Sequence, residues 1–289
     1  MNKQVVLIGH SNVDIIAKAK EPLALHDSNI GTVVKSDGGV ARNITENLAR
    51  LKVPLTFITA LGEDSEGQSI KERLLNLNIN LKVISTSKTS TYMAIHNYDG
   101  SMVYAINEMT NTKLISEKTL KTFEHTLYNA PLLYFDPNLE ESTLKYLFTL
   151  KRKVFIDAVS AKKVTKLKPY LPYIDTLKLN RLELQTLTGK PCEDIENCLA
   201  HSQELLEKGV KRIALTLGKQ GAYLMTKEKV AFKKATEVKV VNETGAGDAF
   251  MAGLIYAEIF QKNPLEIAVL LASKTVQAGS AVNPNISIE

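Results

Sequence analysis

The sequence predicts an α/β protein with a mostly parallel central sheet, helices on both faces of that sheet, and a small second sheet. Three observations favour this three-layer fold. Short apolar runs alternate with longer amphipathic runs, two segments interrupt the alternation, and a strand, glycine turn and helix follow one another near the end. Runs that are apolar at consecutive positions are typical of parallel strands buried on both faces.

Five apolar runs predict the strands of the central sheet. They are Val5 to Ile8, Thr56 to Ala60, Leu132 to Phe135, Val154 to Ile156, and Ile213 to Leu217. Apolar residues recur at helical spacing between these runs, first after Gly39 and again after Gly67. The length of 289 residues fits one main core with an appendage, so we expect a single domain over residues 1–289.

Two segments, about 14–37 and 89–107, do not follow the alternation. Within the second, Met93 to Tyr104 predicts a hairpin that turns at Asp99-Gly100. A complete strand and helix of the main layer separate the two segments. We therefore expect them to form a small sheet that projects from one edge of the core as a lid.

The composition excludes several classes of protein. The net charge is +5, and basic residues are scattered among acidic ones, so we expect no nucleic-acid partner. No apolar run is long enough to span a bilayer, and the beginning of the sequence lacks the features of an export signal. Cys192 and Cys198 have no cluster of His and Cys around them, so we expect free thiols in a reducing cytoplasm.

A glycine-rich run near the end carries the clearest chemical signal. Val238 to Val241 predicts a strand, the run Asn242-Glu243-Thr244-Gly245-Ala246-Gly247-Asp248 follows, and Ala249 to Ala257 predicts a helix. The backbone N–H groups of Gly245, Ala246 and Gly247 could hold the charge of a transferred phosphoryl group. Asp248 could take the proton from an attacking hydroxyl. Taken alone, such a run is more often a tight turn with a capping aspartate.

Further motifs occur in a constant order, and with them the chain resembles the ribokinase-like (PfkB) family of carbohydrate and nucleoside kinases over almost its whole length. The motifs are Gly9 to Asp14, Gly38 to Asn43, Gly62 to Gly67, Asn180 to Glu183, Thr216 to Gly221, and Gly245 to Asp248. The resemblance implies a three-layer α/β/α ribokinase-like (Rossmann-like) fold with a β-sheet lid. It also implies transfer of phosphate from ATP, with Mg²⁺, to a small sugar or nucleoside.

The resemblance assigns residues to both substrates. Those that it implies for the sugar are Asn12, Asp14, Gly38, Gly39 and Asn43. Those that it implies for ATP are Asn180, Glu183, Thr216, Gly218 and Gly221. Asn180 and Glu183 would also support Mg²⁺, largely through water, because Mg²⁺ retains much of its hydration shell. Singly, each has an ordinary alternative: a glycine turn, a helix cap or a solvated carboxylate.

Within the family, three runs look most like pseudouridine kinases: Gly39 to Ile44, Asp157 to Lys163, and Thr176 to Glu183. By this resemblance Lys163 would lie near the reacting hydroxyl and the γ-phosphate, whereas unmatched it is an ordinary surface lysine. The uracil ring would need polar groups from the lid, and Thr91, Asn97 and Asn107 are candidates.

Three departures and several alternatives accompany this interpretation. Ala158 and Leu179 stand where the family usually has proline, and Asn242 stands where aspartate is common. The last position belongs to a region that builds a monovalent-cation site in potassium-activated members, so the K⁺ requirement is open. Ribose, another nucleoside or a hexose derivative is an alternative substrate, and a non-catalytic sensor is an alternative of another class. The resemblance also implies a homodimer through the lid.

Overall fold

The hydrophobic runs of the sequence lie side by side in one large sheet. The computed structural model describes residues 4–288. Within that range the strands are β1 (Val5–Ile8), β2 (Asn12–Ala19), β3 (Gly31–Gly38), β4 (Leu55–Gly62), β5 (Asn80–Thr86), β6 (Ser90–His96), β7 (Met102–Glu108), β8 (Leu133–Phe135), β9 (Val154–Asp157), β10 (Thr176–Asn180), β11 (Arg212–Thr216), β12 (Ala222–Met225) and β13 (Val230–Lys233).

Ten α-helices connect and cover these strands in the described range. They are α1 (Val40–Arg50), α2 (Ser65–Asn76), α3 (Glu117–Lys121), α4 (Glu124–Asn129), α5 (Glu141–Thr149), α6 (Ala161–Val164), α7 (Arg181–Thr188), α8 (Ile195–Glu207), α9 (Ala246–Phe260) and α10 (Pro264–Thr275). No helix between residues 4 and 288 combines the length and the apolar character that a membrane crossing requires.

The large sheet has nine strands in the order β13-β12-β11-β10-β9-β8-β1-β4-β5. The strands from β11 to β5 pair in parallel, while β12 and β13 are antiparallel. This confirms the predicted mostly parallel sheet. The chain runs outward from β1 in both directions, so a topological switch point lies between β1 and β8, and ligands bind at such points in open α/β sheets.

Helices cover both faces of this sheet, as predicted. Alternate residues of β1 belong to different hydrophobic clusters, with Val6 and Ile8 in one and Val5 and Leu7 in the other. Because successive side chains of a strand point to opposite faces, the two clusters are the two faces of the core. On the face of Val5, α9 and α10 pack closely: a Cβ at Gly253 would lie 2.5 Å from the Ala268 Cα.

One predicted strand is wrong. Val238 to Val241 is not part of any sheet, although the backbone N–H of Val241 donates to the Val276 carbonyl at 2.8 Å. Val240 and Val241 are more than half exposed, so the segment has no buried face that strand pairing would complete. The segment instead forms an extended wall beside the start of α9.

The predicted second sheet is confirmed. It contains four strands in the order β3-β2-β6-β7, with β2 and β6 parallel and the outer pairs antiparallel. The hairpin between β6 and β7 turns at Gly100, which has φ +89°, and the Asn97 N–H donates to the Ser101 carbonyl at 2.8 Å. That the sheet acts as a lid stays a prediction.

The register of the small sheet assigns its side chains to two faces. Asp14 pairs with Tyr92, and Tyr92 pairs with Asn107, so these three residues share one face. Thr91 pairs with Val13 and lies on the opposite face. Only one of the three predicted base-reading residues, Asn107, is therefore on the face of Asp14. Asn97 is part of the turn, where its Oδ1 accepts from the Leu23 N–H at 3.1 Å and the Tyr98 N–H at 3.0 Å.

Candidate active site

The site is built where the large sheet, the small sheet and the start of α9 meet. The predicted sugar residues lie on β2, at the end of β3 and in the first turn of α1. The predicted ATP residues lie at the ends of β10 and β11, on α7 and in the turn before β12. Since the carboxyl ends of parallel strands share one edge, residues far apart in the chain converge there.

The predicted anion-binding loop is the first turn of a fifteen-residue helix. Gly245 is the N-cap of α9 and has φ +83°, a conformation that side chains disfavour, and its α-carbon lies against the backbone carbonyl of Ala281. The N–H groups that follow are not bonded within the helix, because the first turn of any helix lacks acceptors for them. The Ala246 N–H donates to the Glu243 carbonyl at 3.3 Å, whereas the N–H groups of Gly247 and Asp248 are available to an anion, and the helix dipole adds a favourable field.

Asp248 occupies this first turn and receives a hydrogen bond from a residue of the sugar motif. The Asn43 Nδ2 donates to Asp248 Oδ2 at 2.6 Å, and Asn43 Oδ1 accepts from Arg42. Removal from water, and then the nearby negative charge of Asp157, raise the pKa of Asp248 to about 7. A carboxyl group with such a pKa can accept a proton at neutral pH and release it again.

The other sugar residues surround one carboxylate. Asn12 Nδ2 donates to Asp14 Oδ1 at 2.6 Å, and Gly38 backs directly onto the Asp14 side chain. Burial raises the pKa of Asp14, while the Asn12 hydrogen bond opposes the increase. Gly39 is the N-cap of α1, so Asn43 lies one turn into that helix. Asn12 and Asp14 thus form one hydrogen-bonded pair, and Asn43 and Asp248 form another, and amide and carboxylate groups of this kind suit sugar hydroxyls.

A buried ion pair, which the sequence analysis did not identify, lies beneath the anion loop. Lys178 Nζ is 2.7 Å from Asp157 Oδ2, and the side chains are 9% and 2% exposed. A Cβ at Gly247 would come within 2.9 Å of Lys178 Nζ, so this glycine makes room for the ammonium group. The available signal was a single charge inside the apolar run Thr176 to Leu179, because a lysine on a buried strand needs a partner.

The segment after Asp157 is strained. Val159 has φ +65°, which is rare for a β-branched residue and marks stored backbone strain. Its N–H donates to Asp157 Oδ1 at 3.0 Å. Both carboxylate oxygens of Asp157 are therefore occupied, one by this backbone group and one by Lys178.

Lys163 belongs to a second polar cluster, with His10, Asp136 and Asn138. Lys163 Nζ donates to Asn138 Oδ1, and burial followed by the charge of Lys163 lowers the pKa of His10 to about 4. Burial raises the pKa of Asp136 to about 6. Among the described residues, His10 Nε2 and Asp136 Oδ2 have no hydrogen-bond partner. The approach of Lys163 to the γ-phosphate stays a prediction, because its contacts here are with this cluster.

Four of the five predicted ATP residues line a cleft of about 640 Å³, and Glu183 is not among its walls. The predicted residues among its walls are Asn180, Thr216, Gly218, Gly221, Ala246 and Gly247, and Lys178 lies with them. The remaining walls are mainly apolar and include Val238, Val240, Phe250, Val269 and Val276. A cleft with an apolar half and an anion-binding end has the composition expected for a nucleotide.

Asn180 and Glu183 form a reciprocal capping box at the start of α7. The Glu183 N–H donates to Asn180 Oδ1, and the Asn180 N–H donates to Glu183 Oε2, each at 2.8 Å. Burial raises the pKa of Glu183. The described residues contain no group of three or more His, Cys, Asp or Glu that could enclose a metal ion. One acidic and one amide side chain beside a phosphate cleft fit Mg²⁺, which relies on phosphate oxygens and water for most of its ligands.

Asn242, at the position of interest for potassium, has a local role. Its Oδ1 accepts from the Thr244 N–H at 2.9 Å, and its Nδ2 donates to the Gly279 carbonyl at 3.4 Å. The amide thus connects the start of the anion loop to the segment that follows α10. Dependence on K⁺ stays a prediction.

Comparison with known proteins shows the family to which the chain belongs. Residues 2–286 match the pfkB family of carbohydrate kinases. Pseudouridine kinase from Escherichia coli (strain K12) is 32% identical over 256 residues, covering 86% of this chain and 82% of that protein. Guanosine-inosine kinase from Exiguobacterium acetylicum is 26% identical over 295 residues, covering 95% and 93%.

Two solved structures share the fold. A carbohydrate kinase from Agrobacterium tumefaciens superposes with a TM-score of 0.84 at 26% identity, covering 99% of this chain and 94% of that one. Arabidopsis thaliana ribokinase, complexed with ribose and ATP, superposes with a TM-score of 0.81 at 23% identity, covering 97% and 95%.

The fold and site define a ribokinase-like kinase, and the chain belongs to the pfkB family of carbohydrate kinases. Membership implies an ATP-dependent phosphotransferase that acts on a hydroxyl group of a sugar or nucleoside. Kinases of this kind use ATP and usually Mg²⁺.

Proposed function

We propose that this protein is a pseudouridine kinase. In the proposed reaction, the 5′-oxygen of pseudouridine attacks the γ-phosphorus of ATP, and the bond from that phosphorus to the β,γ-bridging oxygen breaks. ADP leaves with the bonding electron pair, and the proton of the hydroxyl passes to Asp248. The products are ADP and pseudouridine 5′-phosphate.

The hydrogen bond from Asn43 to Asp248 is the observation that carries the kinase assignment. It connects the motif implied for the sugar to the proposed base, at 2.6 Å, beside the helix N-terminus that would hold the phosphoryl group. A bound hydroxyl could take the place of Asn43 Nδ2 as the hydrogen-bond donor to Asp248. A base within hydrogen-bond reach of the sugar site satisfies the first requirement of general base catalysis.

The choice of pseudouridine rests on similarity and on one geometric argument. Pseudouridine kinase from Escherichia coli shares 32% identity with this chain. Asn107 shares the face of Asp14 on the small sheet, so its amide could reach the base of a nucleoside whose ribose contacts Asp14. Pseudouridine has two ring N–H donors, and a site that hydrogen-bonds them disfavours analogues that lack one.

The bound metal would supply charge neutralisation for the phosphates. We propose that Glu183 and Asn180 hold Mg²⁺ through its water ligands, since Asn180 lines the cleft and the capping box keeps Glu183 next to it. We also propose a cytoplasmic location, which the two free cysteines Cys192 and Cys198 support.

We further propose that two copies associate through the small sheet. Residues Val33, Met93, Tyr104 and Ile106 lie on its face opposite Asp14, and each is more than a third exposed. Rows of exposed apolar residues beside free strand edges favour pairing with another sheet. A second copy supplies an identical sheet, and the resemblance to family members that dimerise in this way supports that partner.

The function is tested by measuring ADP release from Mg-ATP with pseudouridine, uridine, adenosine, guanosine, ribose and fructose 6-phosphate. We expect the highest kcat/KM with pseudouridine. Asp248→Asn should lower kcat by about 10²- to 10⁴-fold, because it removes the proton acceptor while keeping the size of the side chain. Higher kcat/KM with ribose or guanosine would contradict the substrate, and binding without turnover of any compound would indicate a sensor.

A second arm of the same experiment tests recognition of the base. Asn107→Ala should lower kcat/KM for pseudouridine by about tenfold and leave ribose unaffected, because one hydrogen bond to the ring is lost. Thr91→Ala is the matched control, since Thr91 lies on the opposite face of the same sheet. Equal effects of the two variants would show that the base is read elsewhere.

A further inference from the structure

The buried pair of Lys178 and Asp157 has no evident structural purpose. Removing two charges from water costs free energy that their attraction often fails to recover, and apolar residues of similar size are often as stable. Lys178 stands between two buried leucines on β10, and at its position the strand pairs with β9 on one side and β11 on the other. Two apolar side chains of similar size, one at each position, would therefore serve the core equally well.

Lys178 lies where the phosphates of a nucleotide would be. It lines the 640 Å³ cleft together with Asn180, Thr216 and Gly247, and its Nζ lies directly beneath the anion loop. Within residues 4–288, Asp157 is the only hydrogen-bond acceptor for Lys178 Nζ, so two of its three N–H donors are free. Burial disfavours the charged ammonium, but the Asp157 carboxylate outweighs this effect and raises the pKa of Lys178.

Asp157 keeps the lysine in position. Its second oxygen accepts from the backbone of Val159 at 3.0 Å, in the strained segment, so the carboxylate cannot rotate freely. This fixed acceptor orients Lys178 Nζ toward Gly247. Lys219, the other lysine of the cleft, is exposed and has no comparable anchor among the described residues.

We propose that Lys178 is a catalytic residue that donates to non-bridging oxygens of the γ-phosphate during transfer, with Asp157 as its positioning residue. A compact cation at this point neutralises charge on the transferring group. The proposal rests on the proposed use of ATP in this cleft, but it does not depend on which nucleoside or sugar accepts the phosphate. It gives Lys178 the role toward the γ-phosphate that the sequence suggested for Lys163.

The first test uses equilibrium binding of AMP-PNP and ADP, in the presence of Mg²⁺, to the full-length protein. Lys178→Met keeps an unbranched side chain that is one atom shorter and removes the charge. We expect AMP-PNP to lose about tenfold more affinity than ADP, because only AMP-PNP carries a γ-phosphate. This measurement requires no acceptor, so its result stands even if pseudouridine is not the substrate.

The second test is turnover with whichever acceptor the wild-type protein phosphorylates. Lys178→Met should lower kcat by about 100-fold or more, as loss of one stabilising donor does in other enzymes. Lys211→Met is the matched control. Lys211 Nζ also lies 2.7 Å from an aspartate, Asp175, but both residues precede their strands and are at the opposite end of the sheet. The Lys211→Met variant should leave kcat within about threefold of wild type.

Two outcomes would overturn the proposal. One is an equal loss of affinity for AMP-PNP and ADP, and the other is a kcat within threefold of wild type, since either would show that the pair is structural. If Lys178→Met does not fold, the same binding measurements are made on Lys178→Arg, which keeps the charge. It should retain the preference for AMP-PNP over ADP, and loss of that preference in a folded Lys178→Arg protein would count against a phosphate contact.

Discussion

Asp248 connects the two halves of the site through its side chain. Its Oδ2 accepts from Asn43, and its pKa of about 7 reflects burial and Asp157, opposed by Asn43, Lys178 and Arg42. The aspartate is thus a weaker acid than usual, so as a base it binds a proton more readily. A catalytic base works best when its pKa lies near the operating pH.

A pH profile tests this role. Because the ionised form of Asp248 is the active one, kcat/KM should rise with pH and reach half its maximum near pH 7. Asp157→Asn removes the negative charge that raises this pKa, so the half-maximum should move to lower pH. Asp175→Asn, in the ion pair at the far end of the sheet, should not move it. Activity that falls between pH 6 and pH 8 would contradict the assignment of Asp248 as the base.

Single residues also mark the limit of the sequence analysis. The run from Gly245 to Asp248 could be recognised because it precedes a helix and completes an ordered set of motifs that resembles one family. Lys178 could not, because a charge in a strand is interpretable only when its partner is known. Asp157 lies 21 positions away, and the parallel pairing of β9 and β10 brings it close.

The capping box of α7 shows how one element combines stability with function. Asn180 holds the N–H of Glu183, and Glu183 holds the N–H of Asn180. These bonds satisfy helix donors that would otherwise lack partners, and they fix Glu183 against Asn180, which lines the cleft. The structural and functional interpretations of these residues are therefore compatible.

Two helix caps can be compared directly. Asn180→Ala should lower the free energy of unfolding by about 1 kcal/mol, and so should Asp194→Ala, which removes the cap of α8. Only Asn180→Ala should also raise the KM for ATP, since α8 is capped outside the cleft. Urea unfolding and steady-state kinetics on both variants provide the two readings. A similar loss of activity in Asp194→Ala would mean that instability alone explains the effect.

Elements were predictable where their pattern was strong and local. The apolar runs of β1, β4, β8, β9 and β11 are buried at almost every position, and the sequence pattern reflects that burial. The segment Val238 to Val241 is also rich in valine, but Val238 and Val240 line a cleft rather than a core. Apolar residues that line a ligand site and apolar residues that form a strand cannot be told apart by hydropathy.

At the scale of the whole molecule, the small sheet has two different faces. The face of Asp14 adjoins the site, while the opposite face carries Val33, Met93, Tyr104 and Ile106 in rows across three strands. Ion pairs from Lys35 to Glu66 and from Arg73 to Asp37 connect β3 to α2. The residues of the apolar rows are exposed and take no part in these ion pairs, so a second sheet could contact them.

Association through these rows predicts a specific effect of charge. Ile106→Lys should convert a dimer into a monomer, because it places a charge within an apolar contact. Tyr173→Lys also introduces a lysine, at a residue with 54% exposure outside the small sheet. It should not alter the mass of the assembly in solution. Sedimentation equilibrium of both variants decides the matter. A wild-type protein that is monomeric at micromolar concentration, or an Ile106→Lys protein that stays dimeric, would exclude this interface.

The hydrogen bond between Asn43 and Asp248 joins residues 205 positions apart, so it can form only late in synthesis and folding. During synthesis α1 emerges early, but Ile44 and Leu48 share their cluster with Phe250 and Leu254 of α9, which emerge late. Until then an apolar surface has no cover and is open to aggregation. The base and its sugar-side partner also meet only at that stage. A chain that ends before α9 lacks Asp248, the proposed base, so we expect partial synthesis to yield no partly active product that wastes ATP.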